Sequence, residues 1–170
     1  MKTVTSAGAN KMLKALEDEK SYLCSMEEGA SVYVLAEGEQ TEPPVYNYEE
    51  TQVQIDEIDK KVRIIKHALN CFNTTTLLDG IGITIDEALV EMAQLNRKKE
   101  KLDSMRKRLP KARRKESFYR TGNLIEYEYV NYDIQKLQED YRKVCDRITD
   151  IQMALDLCNQ TKTFTLSLEE

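Results

Sequence analysis

Apolar side chains recur at alternating spacings of three and four residues between Asp133 and Cys158. This spacing keeps one stripe of a helix turned toward partner helices and is typical of a left-handed supercoil. We therefore predict a long helix over residues 133–158 with a coiled-coil seam. The seam positions are Ile134, Leu137, Tyr141, Val144, Ile148, Ile151, Leu155 and Cys158.

Two further helices are predicted in the first half of the chain. The first runs over about 9–28 and has the weakest apolar stripe of the set. The second begins at Asn47, where Glu50 three residues later completes a capping arrangement. Its apolar positions repeat the heptad spacing: Ile55, Ile58, Val62, Ile65, Leu69 and Phe72.

A remaining helix is predicted between these and the long C-terminal one. Thr84 followed by Glu87 forms a capping box, and the helix continues to about Leu109, just before Pro110. Lys99 interrupts its apolar stripe, which predicts that its C-terminal half faces solvent or a partner. The second, third and fourth helices each span about 38 Å, and such matched lengths favour side-by-side packing in a bundle.

Short strands are predicted in three places. The run 31–36 (SVYVLA) is rich in β-branched residues and compatible with a strand. Gly122-Asn123 suits a two-residue turn between strands at 117–121 and 124–130. Alternation in this hairpin predicts one packed face. That face is formed by Ile125, Tyr127 and Tyr129.

The segment 161–168 alternates apolar and polar residues and predicts a C-terminal strand. In an antiparallel bundle this strand reaches the end opposite the hairpin, so it must pair either locally or with another chain. We predict a homo-oligomer in which the strand contacts a neighbouring subunit. The predicted contact residues are Phe164, Leu166 and Leu168.

These elements predict a mainly α fold, an antiparallel helical bundle with coiled-coil seams, a small β-hairpin and a C-terminal strand. A chain of 170 residues forms a single domain over 1–170. Its parts are an N-terminal helix and linker (1–46), a helical hairpin (47–109), a β-hairpin (117–130), a long helix (133–158) and a C-terminal strand (161–168).

Charge is distributed unevenly along the chain. The net charge is -5, yet residues 97–115 contain eleven Lys and Arg against two acids. A basic segment beside aromatic residues is able to contact a phosphate backbone and stack bases, or a protein partner. The alternative is a solvated helix end whose cations complement the helix dipole. The candidate contact residues are Arg106, Lys107, Arg108, Lys111, Arg113, Arg114, Lys115 and Tyr119.

Residues suited to catalysis or metal binding are few. His67 and Cys71 are four residues apart on one helical face, but no further ligand completes a metal site. Asp56, Glu57 and Asp59 lie on the polar side of a helix, where carboxylates are ordinarily solvated. No nucleophile or phosphate-loop motif is present, so we predict no enzyme, cofactor or metal.

Cysteine usage and hydropathy predict a cytoplasmic protein. The four cysteines show no CxxC pairing, and we predict that they are buried, reduced packing residues. No secretion signal and no apolar run of membrane-spanning length is found. The cysteines are Cys24, Cys71, Cys145 and Cys158.

Several motifs between residues 48 and 159 occur in a fixed order: a heptad helix from Ile55, an Asp-Gly pair, a Thr-Ile-x-x-Ala-Leu helix start, a hairpin and a Leu-Gln-rich helix. The residues concerned are Asn70, Asn73, Asp79, Gly80, Thr84, Ile85, Ala88, Leu89, Leu137 and Gln138. In this order of motifs the chain resembles the septicolysin-like family of small bacterial proteins. The resemblance implies a helical bundle in a bacterial protein of poorly defined role, and the family name adds cytolysin-like activity as an alternative.

Together, these patterns predict a non-enzymatic interaction or assembly protein that forms a homo-oligomer. The alternative is a nucleic-acid-associated binding module that uses the segment 106–120. Both hypotheses place the function on exposed surfaces rather than in an enclosed site.

Overall fold

Four helices and four short strands make up the part of the chain that the structure, a computed structural model, describes, residues 1–113 and 125–167. Helices account for 66% of these residues, and the predicted mainly α fold with a small hairpin and a C-terminal strand is confirmed. The helices are α1 (Ser6–Ala30), α2 (Tyr48–Thr75), α3 (Ile85–Arg106) and α4 (Ile134–Thr161). The strands are β1 (Lys2–Thr5), β2 (Lys111–Arg113), β3 (Tyr127–Tyr129) and β4 (Thr163–Leu166).

Polar side chains cap the starts of the later helices. Asn47 Oδ1 accepts a hydrogen bond from the backbone N–H of Glu50 at 3.3 Å at the start of α2. α3 begins with a complete capping box. Thr84 Oγ1 accepts from the backbone of Glu87 at 3.2 Å, and the Glu87 carboxylate accepts from the backbone of Thr84 at 2.8 Å. Asp133 caps α4 without a reciprocal bond, because its Oδ1 accepts from the backbone N–H groups of Gln135 at 2.8 Å and Lys136 at 3.1 Å. The capping predicted at Asn47 and Thr84 is therefore confirmed.

The helices are arranged as two hairpins, because α1 packs mainly on α2 and α3 packs mainly on α4. Lys20 Nζ lies 2.7 Å from Asp59 Oδ2 across the first hairpin. Arg147 donates to both carboxylate oxygens of Glu91 across the second, at 2.7 and 2.9 Å. Such flanking ion pairs fix the register of neighbouring helices rather than supplying most of their stability.

The apolar stripe of α4 is buried as its spacing predicts. Ile134 and Tyr141, at its N-terminal end, are half-buried. The α2 stripe is covered less completely, with Ile58 and Ile65 buried and the other positions half-buried. The six buried α4 positions are Leu137, Val144, Ile148, Ile151, Leu155 and Cys158.

Two clusters of buried apolar side chains occupy the end of the molecule where α1 begins and α4 ends. One lies between the start of α3 and the end of α4, and the other lies beneath β1 and β4. The first comprises Leu78, Ile85, Ala88, Ile151, Leu155 and Cys158. The second comprises Val4, Ala9, Leu13, Ile65 and Leu166.

The last strand finds its partner within the same chain. β4 pairs antiparallel with β1, a strand that was not predicted from the sequence. Leu166 is 0% exposed, and the ring of Phe164 stacks on that of Phe72 with centroids 4.8 Å apart. Of the two pairings expected for this strand, local or with another chain, the structure shows the local one. Leu166 is fully buried in the core of its own chain. Leu168 lies outside the described residues.

The segment between α1 and α2 differs from the prediction as well. Residues 31–36 form no strand, and every residue from 31 to 45 is exposed. The segment is anchored near its end by Tyr46, whose hydroxyl donates to Glu27 Oε1 at 2.6 Å. This hydrogen bond to a carboxylate is the main cause that raises the pKa of Tyr46 to about 12.

The accessible surface of the chain is large for its mass. It measures 13391 Å², whereas a compact monomer of 19.7 kDa exposes about 8,600 Å². α1 and α3 are ~38 and ~33 Å long and begin at the buried clusters, so the far ends of both hairpins lie away from the clusters and contribute to this area. Large apolar residues are also exposed on the helix faces, among them Leu89, Val90 and Leu157.

Candidate interaction surfaces at the ends of the helical hairpins

The far end of the α3–α4 hairpin carries the predicted basic residues, and we call it the basic-aromatic end (residues 106–113 and 125–130). A turn follows α3, with the backbone N–H of Arg108 donating to Met105 O at 3.1 Å. β2 and β3 then pair, with Lys111 opposite Tyr129 and Arg113 opposite Tyr127. Arg114, Lys115 and Tyr119 lie outside the described residues.

Two of the predicted contact residues, Arg106 and Lys107, already interact with other side chains of the same hairpin. Arg106 Nε donates to Asp103 Oδ1 at 2.7 Å, and its guanidinium lies 4.3 Å from the ring centroid of Tyr141. Lys107 pairs with the other oxygen of Asp103. Hydrogen bonds from Lys107 and then Arg106 hold the pKa of Asp103 below its ordinary value. These two cations are thus less available to a partner than their exposure suggests.

The tyrosines of the hairpin strands are exposed. Lys111 Nζ lies 4.2 Å from the ring centroid of Tyr127 and 5.4 Å from that of Tyr129. Both rings, like Ile125 beside them, are about half exposed, so the predicted packing of this face against the bundle is wrong. The lysine covers the rings through cation–π contacts that leave the aromatic edges open to a partner. Arg108 and Arg113 are also exposed.

The register of the hairpin also differs from the prediction. A two-residue turn at Gly122-Asn123 would place Tyr129 opposite Glu116, whereas the structure places it opposite Lys111. The antiparallel pairing of residues 127–129 was predicted, and their partners among the described residues are 111–113. The predicted first strand, 117–121, lies outside the described residues. The proposed turn itself lies outside the described residues.

The far end of the α1–α2 hairpin forms a second surface that sequence reasoning missed; we call it the apolar-acidic end (residues 21–59). It contains ten Asp and Glu and no Lys or Arg. The side chain of Val34 is 91% exposed and that of Val45 is fully exposed. The exposed large apolar residues here are Tyr22, Met26, Val32, Tyr33, Val34, Leu35, Val45, Tyr48 and Val53.

A signal for this surface was present in the sequence. In the run SVYVLA, apolar or aromatic residues occur on both faces that an extended chain would have. The run is followed by several glutamates and a Pro-Pro pair. A strand without an identifiable partner, bounded by residues that discourage pairing, is a candidate for an exposed apolar segment. The β propensity of the run alone does not distinguish a paired strand from an exposed segment.

The other chemical candidates do not form a site. Cys71 Sγ and His67 Nε2 lie 3.7 Å apart on the exposed face of α2. Within residues 1–113 and 125–167, no group of three or more His, Cys, Asp or Glu side chains is placed to hold a metal ion. Asp59 is paired with Lys20, while Asp56 and Glu57 are exposed.

The cysteines occupy different environments from those predicted. Cys158 is buried in the core, and Cys145 is half-buried on α4. Cys24 and Cys71 are exposed, so the prediction that all four thiols are buried is wrong for these two. Their positions on α1 and α2 lie outside the packed stripes, which explains the exposure.

Comparisons of the chain with protein-family models, with curated proteins and with solved structures find no match. None of the helices in the described ranges combines the length and the hydrophobicity that a membrane crossing requires.

Proposed function

We propose that this chain is a non-enzymatic interaction and assembly protein that forms a homo-oligomer. The observation that supports this proposal most strongly is the exposed apolar surface of the apolar-acidic end, where Val32, Val34 and Val45 are all at least 73% exposed. Clustered apolar side chains of this kind mark interaction sites, because leaving them in water forgoes the free energy of their burial.

The two hairpin ends also carry opposite charges. The charged residues of the apolar-acidic end are all acidic, and the basic-aromatic end presents Arg108, Lys111 and Arg113 on its exposed side. Charge of one sign around an apolar or aromatic centre increases association rates and selects partners of the opposite sign. Both ends therefore have the composition of protein interaction surfaces.

Light scattering over a range of protein concentrations tests the proposal. We expect a mass of at least twice the 19.7 kDa of one chain at low ionic strength. The mass should fall toward one chain on dilution or at high salt, because charged contacts at exposed ends are screened. A mass of one chain at every concentration and salt would overturn the proposal.

The alternative function is nucleic-acid binding through the basic-aromatic end. The exposed Arg108 and Arg113, beside the rings of Tyr127 and Tyr129, favour this alternative. The pairing of Arg106 and Lys107 with Asp103 reduces the charge available for phosphates. Fluorescence anisotropy with a labelled single-stranded oligonucleotide tests it, since phosphate contacts require affinity to fall steeply as salt rises.

A further inference from the structure

We propose that the apolar-acidic end of one chain binds the basic-aromatic end of a second copy. This inference rests on the proposed assembly function and names the contact that produces it. Within residues 1–113 and 125–167 neither end is covered, since Val34 and Val45 at one end and Leu109 and Arg113 at the other are all exposed.

Charge complementarity identifies the second copy as the occupant. Glu37 and Glu42 are exposed in the segment between α1 and α2, and residues 21–59 contain no cation to neutralise them. The basic-aromatic end, residues 106–113 and 125–130, carries five Lys and Arg against two Glu. A contact between copies therefore places each excess charge opposite its complement, which contacts between two like ends would not do.

The apolar composition of the two ends agrees with the same contact. Val32, Val34 and Val45 offer branched aliphatic surface, and Tyr127 and Tyr129 offer half-exposed rings. Interface centres are enriched in aromatic side chains and surrounded by charged residues. Contact between aliphatic and aromatic groups would remove from water the surface that each copy leaves exposed.

The fold allows both contacts to form at once. The β1–β4 sheet lies where α1 begins and α4 ends, and both hairpin ends point away from it. A two-fold axis between two copies would set the apolar-acidic end of each against the basic-aromatic end of the other. The expected assembly is a closed dimer with two equivalent contacts.

Charge reversal in two complementary variants tests the contact. Glu37→Lys with Glu42→Lys changes the segment between α1 and α2 from three acids to two cations and one acid, so that it repels the basic-aromatic end. Arg108→Glu with Arg113→Glu changes the basic-aromatic end from five cations and two acids to three cations and four acids. We expect each variant alone to dimerise at least about tenfold more weakly than the original chain at low salt, because like charges then meet at both contacts. An equimolar mixture of the two should recover the dimer mass, since every end then meets its opposite.

A matched control reverses two exposed carboxylates of α4, Asp150→Lys with Asp156→Lys, which lie outside both ends. This control should dimerise like the original chain, and circular dichroism should show the same helicity for all variants. If the original chain dimerises but neither end variant changes its dissociation constant, the contact is wrong while the assembly function stands. The proposed contact would also be overturned if the equimolar mixture of the two variants did not recover the dimer mass. A chain that is monomeric throughout contradicts the assembly function itself.

Discussion

Val4 in β1 is the antiparallel register partner of Phe164 in β4, although 160 positions separate them in the chain. The pairing brings β4 onto the side of the molecule where α1 begins and α2 ends. There, Leu166 is enclosed with Ile65, and Phe164 reaches the ring of Phe72. The two strands therefore complete the core between the helical hairpins.

This arrangement predicts a large loss of stability from Leu166→Ala. We expect the free energy of unfolding to fall by about 2–5 kcal/mol, because the substitution removes a fully buried side chain and leaves a cavity. Leu157→Ala on the exposed face of α4 is the control and should change it by less than about 0.5 kcal/mol. Urea unfolding measures both, and equal effects would mean that Leu166 is not enclosed within its own chain.

The Glu91–Arg147 pair predicts a pH dependence on the acid side. The hydrogen bond from Arg147 lowers the pKa of Glu91 below its ordinary value of 4.5. Because the folded pKa is the lower one, the stabilisation is present above the unfolded pKa and is lost as pH falls through the folded pKa. Glu91→Gln should lower the free energy of unfolding at pH 7 and make it depend less on pH on the acid side.

A double-mutant cycle with Arg147→Gln should give a coupling of about 0.5–1 kcal/mol, the range for partly exposed pairs. Glu100→Gln, on the exposed face of the same helix, serves as the control and should leave the pH profile unchanged. A coupling near zero would mean that the pair positions α3 and α4 without stabilising them.

The thiols should differ in reactivity. Burial raises the pKa of Cys158, so we expect it to react with a thiol reagent only when the protein unfolds. Cys24 and Cys71 are exposed and should react within the mixing phase of the experiment. A variant with Cys24, Cys71 and Cys145 changed to Ser isolates Cys158. Rapid labelling of that variant without denaturant would contradict the structure.

Two adjacent residues at the start of α1 should respond to substitution in opposite ways. Thr5 Oγ1 accepts from the backbone N–H of Gly8 at 3.1 Å, so Thr5→Ala should lower the free energy of unfolding by about 1 kcal/mol. Ser6 Oγ is buried and has no hydrogen-bond partner in the described part of the chain. Ser6→Ala should therefore be neutral or stabilising by up to about 1 kcal/mol, which thermal unfolding will measure.

The helices and their packed faces could be predicted from sequence because both follow from local periodicity. A side chain such as Ile151 belongs to a stripe whose spacing is visible within two turns, and capping at Thr84 requires only Glu87 three residues away. The basic segment was equally apparent, since charge is counted directly. The sequence did not show which of these cations are available to a partner, because Arg106 and Tyr141 approach each other only through packing.

What the tertiary structure decided was the pairing of segments and the exposure of apolar runs. Residues 2–5 form too short a run for a strand to be predicted from their sequence. β1 forms because β4 and the α1–α2 core lie beside it. The run 31–36 has stronger β propensity, yet it remains exposed because no strand in residues 1–113 and 125–167 pairs with it. Strand formation depends on a partner that can be distant in the chain, whereas helical hydrogen bonds close within four residues. For that reason the sequence alone determined the helices, and only the folded chain determined which strand paired and which apolar run stayed exposed.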